Sequence, residues 1–303
     1  MPEQTISVLI PTHSRPKILK RTLDSLAECD LPSCFREVVV VENGSRNGAE
    51  VLTDELPGRL NARYLHVDWA NKSYALNSAL ATMGDGLIFF TDDDVRFAPG
   101  ILMAYASAME DFRSGVFFGG PVDVDRQAHP PGWMEPLLPW SVRGYNLFTE
   151  RMERGGYLGF NWAAYASDIR EMGGFDPLYG PGSPIGASGQ ESDMQDRLFE
   201  AGYSEVDVME AVVWHHVPEE HCNEKWLRNR FFRYGVSRGI SSGGGREVLA
   251  ELGIMVKYSV RWALYLALLN KTERKKSKME LISRTGYLYS VINRKSPSES
   301  STE

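Results

Sequence analysis

Three short apolar runs, each closed by a polar turn, constrain the fold of this chain more than any other feature. Ile6, Val8, Leu9 and Ile10 run into Pro11-Thr12-His13-Ser14-Arg15-Pro16, and Val38-Val39-Val40-Val41 runs into Glu42-Asn43-Gly44-Ser45. Leu87-Ile88-Phe89-Phe90 runs into Thr91-Asp92-Asp93-Asp94. Runs this short, bounded by turn residues, read as strands buried on both faces. Between the first two, Leu19, Leu23 and Leu26 recur at helical spacing, with Ser14 placed to cap the helix and Pro16 suited to its first turn. A third strand is expected near Arg63–Val67 and a helix over Tyr74–Met83. Strands alternating with helices predict an α/β fold: a Rossmann-like, mostly parallel sheet with helices on both faces. Ligands of such sheets sit at the carboxyl ends of the strands, where the three polar turns lie.

Past residue 115 the pattern loosens. Residues 119–140 hold five prolines, and 173–190 are rich in Gly and Pro. Such long loops inside a compact domain are usually functional or mobile. Asp193–Ala201 reads as a helix stopped by Gly202, and Glu224–Ser290 is helical in character. The 303 residues, 43% hydrophobic and 24% charged, exclude a disordered or collagen-like chain. The net charge of −7 conceals an asymmetry: residues 1–220 carry 17 basic and 33 acidic side chains, residues 221–303 carry 16 basic and 7 acidic. The expected organisation is an α/β domain over 1–220, a basic amphipathic helical extension over 221–295 and a disordered tail over 296–303. A basic segment behind an acidic body predicts attraction to an anionic membrane surface; no nucleic-acid partner is expected. Three cysteines without metal-type spacing, no signal-like N-terminus and no run near 20 apolar residues predict a cytoplasmic protein, with the basic extension at the inner face of the membrane.

The chemistry-bearing residues gather at strand ends. Asp92, Asp93 and Asp94 follow a buried strand, and three adjacent carboxylates repel one another unless a cation is present. Mg²⁺ or Mn²⁺ suits such oxygen ligands and also binds substrate phosphates. Alternation in an extended segment would put Asp92 and Asp94 on one side and Asp93 on the other. Glu42 ends the second strand, where an acidic residue can hydrogen-bond a ribose hydroxyl or a base N–H. The first turn lacks Gly-x-Gly-x-x-Gly, which argues against a dinucleotide; Pro11, Thr12 and Arg15 occupy it. Glu191 and Asp193 enter a helix, as dipole-stabilised caps or as a general base. His215 and His216 follow the run Ala211–Trp214, and a neutral imidazole beside carboxylates can complete a metal site.

Taken together these residues resemble the family 2 glycosyltransferases of the GT-A fold, over about residues 5–240. The carriers are Ile10 through Pro16, Val41 through Ser45, Asn77 through Asp85, Phe90 through Asp94, Gly159-Phe160-Asn161 with Gly173 through Asp176, Gly189 through Tyr203, and Val213-Trp214-His215. The family's usual Glu-Asp pair stands here as Gln190-Glu191. The resemblance implies an inverting, metal-assisted transfer of a sugar from a nucleoside diphosphate sugar, UDP-linked by the family's commonest choice, to a hydroxyl of a glycan or lipid-linked acceptor. It implies that Asp92, Asp94 and His215 (or His216) hold Mg²⁺ or Mn²⁺. It assigns Pro11, Thr12, Arg15, Glu42, Asn77, Asp92 and Asp93 to the nucleotide, and Glu191 or Asp193 to the base. Trp133, Trp140, Asn161 and Trp162 are candidates for sugar or acceptor contacts. Two other readings compete: a haloacid-dehalogenase-type phosphotransferase using Asp92-x-Asp94, and a non-catalytic nucleotide-sugar-binding scaffold.

Overall fold

The computed structural model describes residues 4–112, 114–147, 149, 155–241 and 245–293. The tail expected over 296–303 lies outside the described residues. The chain divides into two compact units: one ends its first stretch at Gln127 and takes Pro139–Gly182 and Gln190–Val217, the other takes Ala128–Leu138, Ser183–Gly189 and the chain from Pro218.

The first unit is built on a seven-stranded sheet. The three apolar runs form β1 (Ile6–Thr12), β2 (Phe35–Asn43) and, after β3 (Ala62–Val67), β4 (Leu87–Phe90). Every residue of β1 and β4 is buried, as are Val38 through Asn43 of β2. Unbroken burial is why these segments show no polar alternation. β5 (Val95–Phe97) leaves the sheet; β6 (Val116–Gly119), β7 (Val122–Arg126), β8 (Trp162–Tyr165), β9 (Ser204–Asp207) and β10 (Val213–Val217) follow. The sheet order is β3-β2-β1-β4-β8-β6-β9, and β5-β10-β7 form a second, three-stranded sheet. β1 pairs in parallel with β2 and with β4, and β2 with β3, whereas β8 runs antiparallel to both β4 and β6. The chain progresses outward from β1 to β3, then returns to β4 on the other side of β1. That reversal is the switch point at which open α/β sheets bind ligands, and it brings the turns after β1 and β4 side by side.

Helices α1 (Pro16–Ala27), α2 (Ala49–Asp54), α3 (Lys72–Leu80) and α4 (Ile101–Ala108) connect the first half; α5 (Trp140–Arg143), α6 (Ala166–Glu171) and α7 (Gln190–Glu200) belong to the second. Leu19, Leu23 and Leu26 are the buried face of α1, as their spacing predicts. Its cap differs from the expected one. Arg15 precedes the helix and no side chain caps it, because Ser14 takes a left-handed φ of 54° and its hydroxyl accepts from Asn47 instead. α3 starts two residues before the expected Tyr74, since the Asn71 side chain accepts from the Tyr74 amide 2.9 Å away and sets the first turn. The centre of the sheet is aromatic: Phe90 stacks on Trp162 at 4.7 Å, and Phe175 meets both edge-on. Trp162 and Asn161 are therefore core rather than acceptor contacts; both are fully buried, and Asn161 bonds the carbonyls of Pro121 and Ala211 and the Tyr105 hydroxyl. Trp140 packs on Tyr145 with Arg143 over its face, also a structural duty.

The second unit holds α8 (Glu224–Ser241), α9 (Gly245–Ala267) and α10 (Lys271–Asn293). α8 and α10 cross closely because each puts a glycine at the contact. A Cβ at Gly235 would lie 1.8 Å from the Ser283 carbonyl oxygen, and one at Gly286 2.1 Å from that of Phe232. The carboxylate of Glu251, on α9, is buried and pairs with Arg238 of α8 and Arg284 of α10. Trp133 lies under the Lys275 ammonium at 4.0 Å. Among the described residues no helix is long and apolar enough to cross a membrane.

Candidate active site

The turns after β1 and β4 meet over the switch point. Thr12, the last residue of β1, donates its hydroxyl hydrogen to Asp93 at 2.6 Å, and the Arg15 guanidinium pairs with both Asp93 and Asp94. The three aspartates do not alternate as an extended strand would. A turn begins at Asp93, so Arg15 reaches two consecutive carboxylates while Asp92 faces other partners. Burial raises the pKa of Asp93 above the ordinary carboxylate range, opposed by the Arg15 charge and the Thr12 hydrogen bond.

Asp92 is held by a residue that the sequence did not single out. Lys72, at the first turn of α3, donates to Asp92 at 2.5 Å and to Oε1 of Glu191 at 2.7 Å. Gln190 donates to the same Glu191 oxygen at 2.6 Å. The lysine thus bridges a carboxylate 20 positions after it and one 119 positions after it, separations that leave no sequence signal. Burial alone would lower the Lys72 pKa; the two carboxylates outweigh it and raise it, so the ammonium stays charged. Burial raises that of Glu191, against the pull of Lys72. Gly159 makes room for this side chain, because a Cβ there would stand 2.3 Å from the Glu191 Cδ.

Asp193 is not brought to this cluster. Two residues along a helix turn the side chain by about 200°, and Asp193 pairs instead with Arg197 at 2.8 Å, which in turn donates to the Met172 and Gly174 carbonyls. Asn77 is likewise committed elsewhere: its amide donates to the Phe175 carbonyl and accepts from the Phe175 N–H. Glu42 is buried at the end of β2, one oxygen accepting from the Asn47 N–H and the other from the Tyr64 hydroxyl, each at 2.7 Å. Pro11 is buried in β1. Beside these strand ends His13, Gly44, Arg46, His66 and Asp68 line an open hollow.

Strand alternation separates the two histidines. Along β10 burial alternates, so His215 faces inward and His216 outward. His216 lies 3.4 Å from Arg21, and burial and that cation lower its pKa. His215 stacks on Phe160 at 4.6 Å and donates its Nδ1–H to the Ser141 carbonyl at 2.6 Å. In the neutral ring that bond leaves a lone pair on Nε2, which stands 3.6 Å from Oδ1 of Asp94. This Oδ1 is buried and has no hydrogen-bond partner. An unpartnered carboxylate oxygen facing an imidazole nitrogen, with the imidazole fixed from behind by a carbonyl, fits the edge of a divalent-metal site. The third expected ligand does not join them: Asp92 faces Lys72, and among the described residues no three His, Cys, Asp or Glu groups gather closely enough to hold a metal ion. A two-ligand protein edge suits a hard cation whose other positions go to phosphate oxygens and water.

The family model for glycosyl transferase family 2 matches residues 7–169, more than half of the chain and including both site turns. The chain belongs to this family. Membership removes the haloacid-dehalogenase reading, which also needs its aspartates after the first strand rather than the fourth. The chain is 22% identical over 240 residues to the probable glycosyltransferase YdaM of Bacillus subtilis, covering 74% of its own length and 53% of that protein. It therefore spans about half the length of this curated relative. Among solved structures, the mannosyltransferase PcManGT of Pyrobaculum calidifontis, in complex with GDP-Man and Mn²⁺, superposes with a TM-score of 0.61 at 18% identity, covering 96% of this chain and 88% of that one. TarS of S. aureus (residues 1–349) gives 0.55 at 14% identity over 95% and 81%. GalNAc-T7 with UDP, GalNAc and Mn²⁺ gives 0.54 at 13% over 80% and 52%. These likenesses establish the GT-A fold.

Proposed function

We propose that the protein is an inverting glycosyltransferase that moves a sugar from a nucleoside diphosphate sugar to an acceptor hydroxyl, with residues 1–220 as its catalytic domain and 221–295 as an extension. The observation that carries this reading is the buried Oδ1 of Asp94, without a hydrogen bond, facing Nε2 of His215. Asp94 and His215 would hold Mg²⁺ or Mn²⁺, which supplies charge neutralisation to the departing diphosphate. Both PcManGT and GalNAc-T7 were solved with Mn²⁺, which supports a divalent ion without choosing between the two.

Donor binding falls to the strand ends. Arg15, half-exposed, offers a guanidinium to phosphate oxygens, and Glu42 keeps lone pairs for ribose hydroxyls beyond the two bonds it already accepts. Asp68 in the adjoining hollow is an acceptor for a base N–H. UDP-sugars are the favoured donors; GDP-Man in PcManGT makes GDP-sugars the first alternative. Glu191 acts as the base. Lys72 and Gln190 both bond its Oε1, so Oε2 takes the proton of the acceptor hydroxyl. The hydroxyl oxygen bonds to the anomeric carbon from the face opposite the diphosphate, the bond to the diphosphate oxygen breaks, and the nucleoside diphosphate leaves with the electron pair. One such displacement inverts the anomeric configuration. The acceptor is a glycan or a lipid-linked sugar, and the location is cytoplasmic.

The test is release of nucleoside diphosphate from a panel of UDP- and GDP-sugars with Mn²⁺, with Mg²⁺ and after chelation, in wild type and Asp94→Asn. Metal-dependent release lost in the variant supports the reading. Release indifferent to chelation, or retained at wild-type rate in Asp94→Asn, overturns the metal assignment; binding without release in every case favours a scaffold.

A further inference from the structure

α9 turns an aliphatic stripe outward. A helix on the outside of a soluble unit normally turns its apolar stripe inward and its charges outward. Here the inward positions are Val248, Glu251, Ile254, Met255, Tyr258, Arg261 and Tyr265, with Glu251 buried between two arginines and Arg261 paired with Glu273. The outward positions are Leu249, Leu252, Val256, Val260 and Leu264, at i, i+3, i+7, i+11 and i+15, continued by Leu268 in the following turn. Leu249, Val256 and Val260 are 69, 64 and 63% exposed. In the sequence Ile254, Val256, Tyr258, Trp262, Tyr265 and Leu269 fit an amphipathic helix without saying which way it turns; the helix puts Ile254, Tyr258 and Tyr265 inside and Val256 and Trp262 outside.

Three occupants could cover an aliphatic stripe of this kind. Residues 294–303, Arg-Lys-Ser-Pro-Ser-Glu-Ser-Ser-Thr-Glu, contain no large apolar residue to lay on it. A second copy of the chain would need roughly 800 Å² from each partner, whereas a stripe from Leu249 to Leu268 is about 28 Å long at 1.5 Å per residue and one helix face wide, roughly 300 Å². A bilayer imposes no such area threshold, because the attraction of basic residues to anionic lipid adds to whatever apolar area one helix face buries. Charge agrees: residues 245–293 carry nine Lys and Arg against four Glu and no Asp, and Arg246, Lys257 and Lys271 are exposed along or beside the helix.

We propose that α9 is a membrane-surface helix, whose Leu249–Val256–Val260–Leu264 stripe enters the headgroup and acyl boundary of an anionic bilayer while its flanking basic residues meet the lipid phosphates. The helix lies in the plane of the surface. The proposal rests on the second unit alone and stands whether or not the transferase reading does.

Co-sedimentation of the full chain with sucrose-loaded vesicles tests it. We expect wild type to bind phosphatidylcholine:phosphatidylglycerol vesicles (70:30) at low salt. Binding should be about tenfold weaker to pure phosphatidylcholine or at high salt, because both apolar and electrostatic attraction contribute. The triple variant V256E/V260E/L264E, at exposed positions, should lose binding about tenfold or more while keeping its melting temperature and its nucleoside diphosphate release. Lys257→Glu should weaken only the anionic-vesicle arm. Failure of wild type to sediment with either vesicle, or equal sedimentation of the triple variant, overturns the proposal. A wild-type dimer in sedimentation equilibrium that the triple variant converts to monomer overturns it in favour of a second copy.

Discussion

The Lys72 ammonium sits between Asp92 and Glu191, so removing its charge acts on two carboxylates at once. In Lys72→Met burial is no longer opposed at Glu191, whose pKa already lies above the usual range, and the carboxyl holds its proton to still higher pH. A base must be ionised to act, so activity is lost as pH falls through its pKa. The acid limb of kcat/KM is expected above the ordinary glutamate value in wild type and higher again in Lys72→Met, with kcat at neutral pH down by ~10²-fold. A limb at the same pH in both proteins counts against the bridge. Gly159→Ala places a methyl group against the Glu191 Cδ and pushes a flexible side chain aside. Misplacing a reacting group by about 1 Å costs on the order of 10²-fold, so kcat should fall while the melting temperature and donor affinity hold. Cys29 offers a test away from the site: burial pushes its thiol up to about 12. Above the unfolded thiol's pKa of about 8.5 the unfolded chain releases a proton that the native one keeps, so stability declines by up to ~1.4 kcal/mol per pH unit. Urea titrations at pH 8 and 10 should show a decline that is shallower in Cys29→Ala. Individual residues were unevenly legible. Asp94 and His215 stand out as residue types at strand ends, whereas Lys72 is one lysine among many until folding closes its two distant contacts.

The first turn of α7 carries two acidic residues on different faces, and the two faces do different work. Glu191 turns to Lys72 and the site; Asp193 turns to Arg197, which straps the helix to the loop at Met172 and Gly174. Glu191→Gln should therefore lower kcat by ~10²–10⁴-fold with donor affinity retained. Asp193→Asn should keep turnover and lose at most about 1 kcal/mol, since its ion pair is partly solvated. Steady-state kinetics and urea titration of both variants separate the roles, and turnover lost in Asp193→Asn alone would reverse them. Elements were legible where burial is complete: β1, β2 and β4 are continuous apolar runs because both of their faces are covered. β5, β7 and β10 pass unnoticed because each is three to five residues long and belongs to a sheet assembled from distant segments. α9 was visible as a helix but not in its orientation, since which of two apolar-containing faces turns inward depends on where Arg238 and Arg284 meet Glu251.

At the scale of the whole molecule, ligand binding should register as stability. A donor that binds only the native chain adds about 2.7 kcal/mol at a hundred times its Kd, so a panel of nucleotide sugars with Mn²⁺ should show its true donor as the largest rise in melting temperature. Chelation should remove that rise, and Asp94→Asn should blunt it. The position of β1 carries a further consequence. All seven of its residues are buried, and it is hydrogen-bonded to a parallel neighbour on each side, β2 and β4. Its backbone amides can meet solvent deuterium only when the sheet itself opens, so they should exchange at the slowest, global rate of this unit. Thr12 ends that strand and Arg15 follows three residues on, which ties the turn proposed to face the donor to the last part of this unit to let go. Deuterium uptake by the peptide spanning 6–12 should therefore lag behind that of every loop, and the site's geometry should persist under any condition in which those amides remain unexchanged.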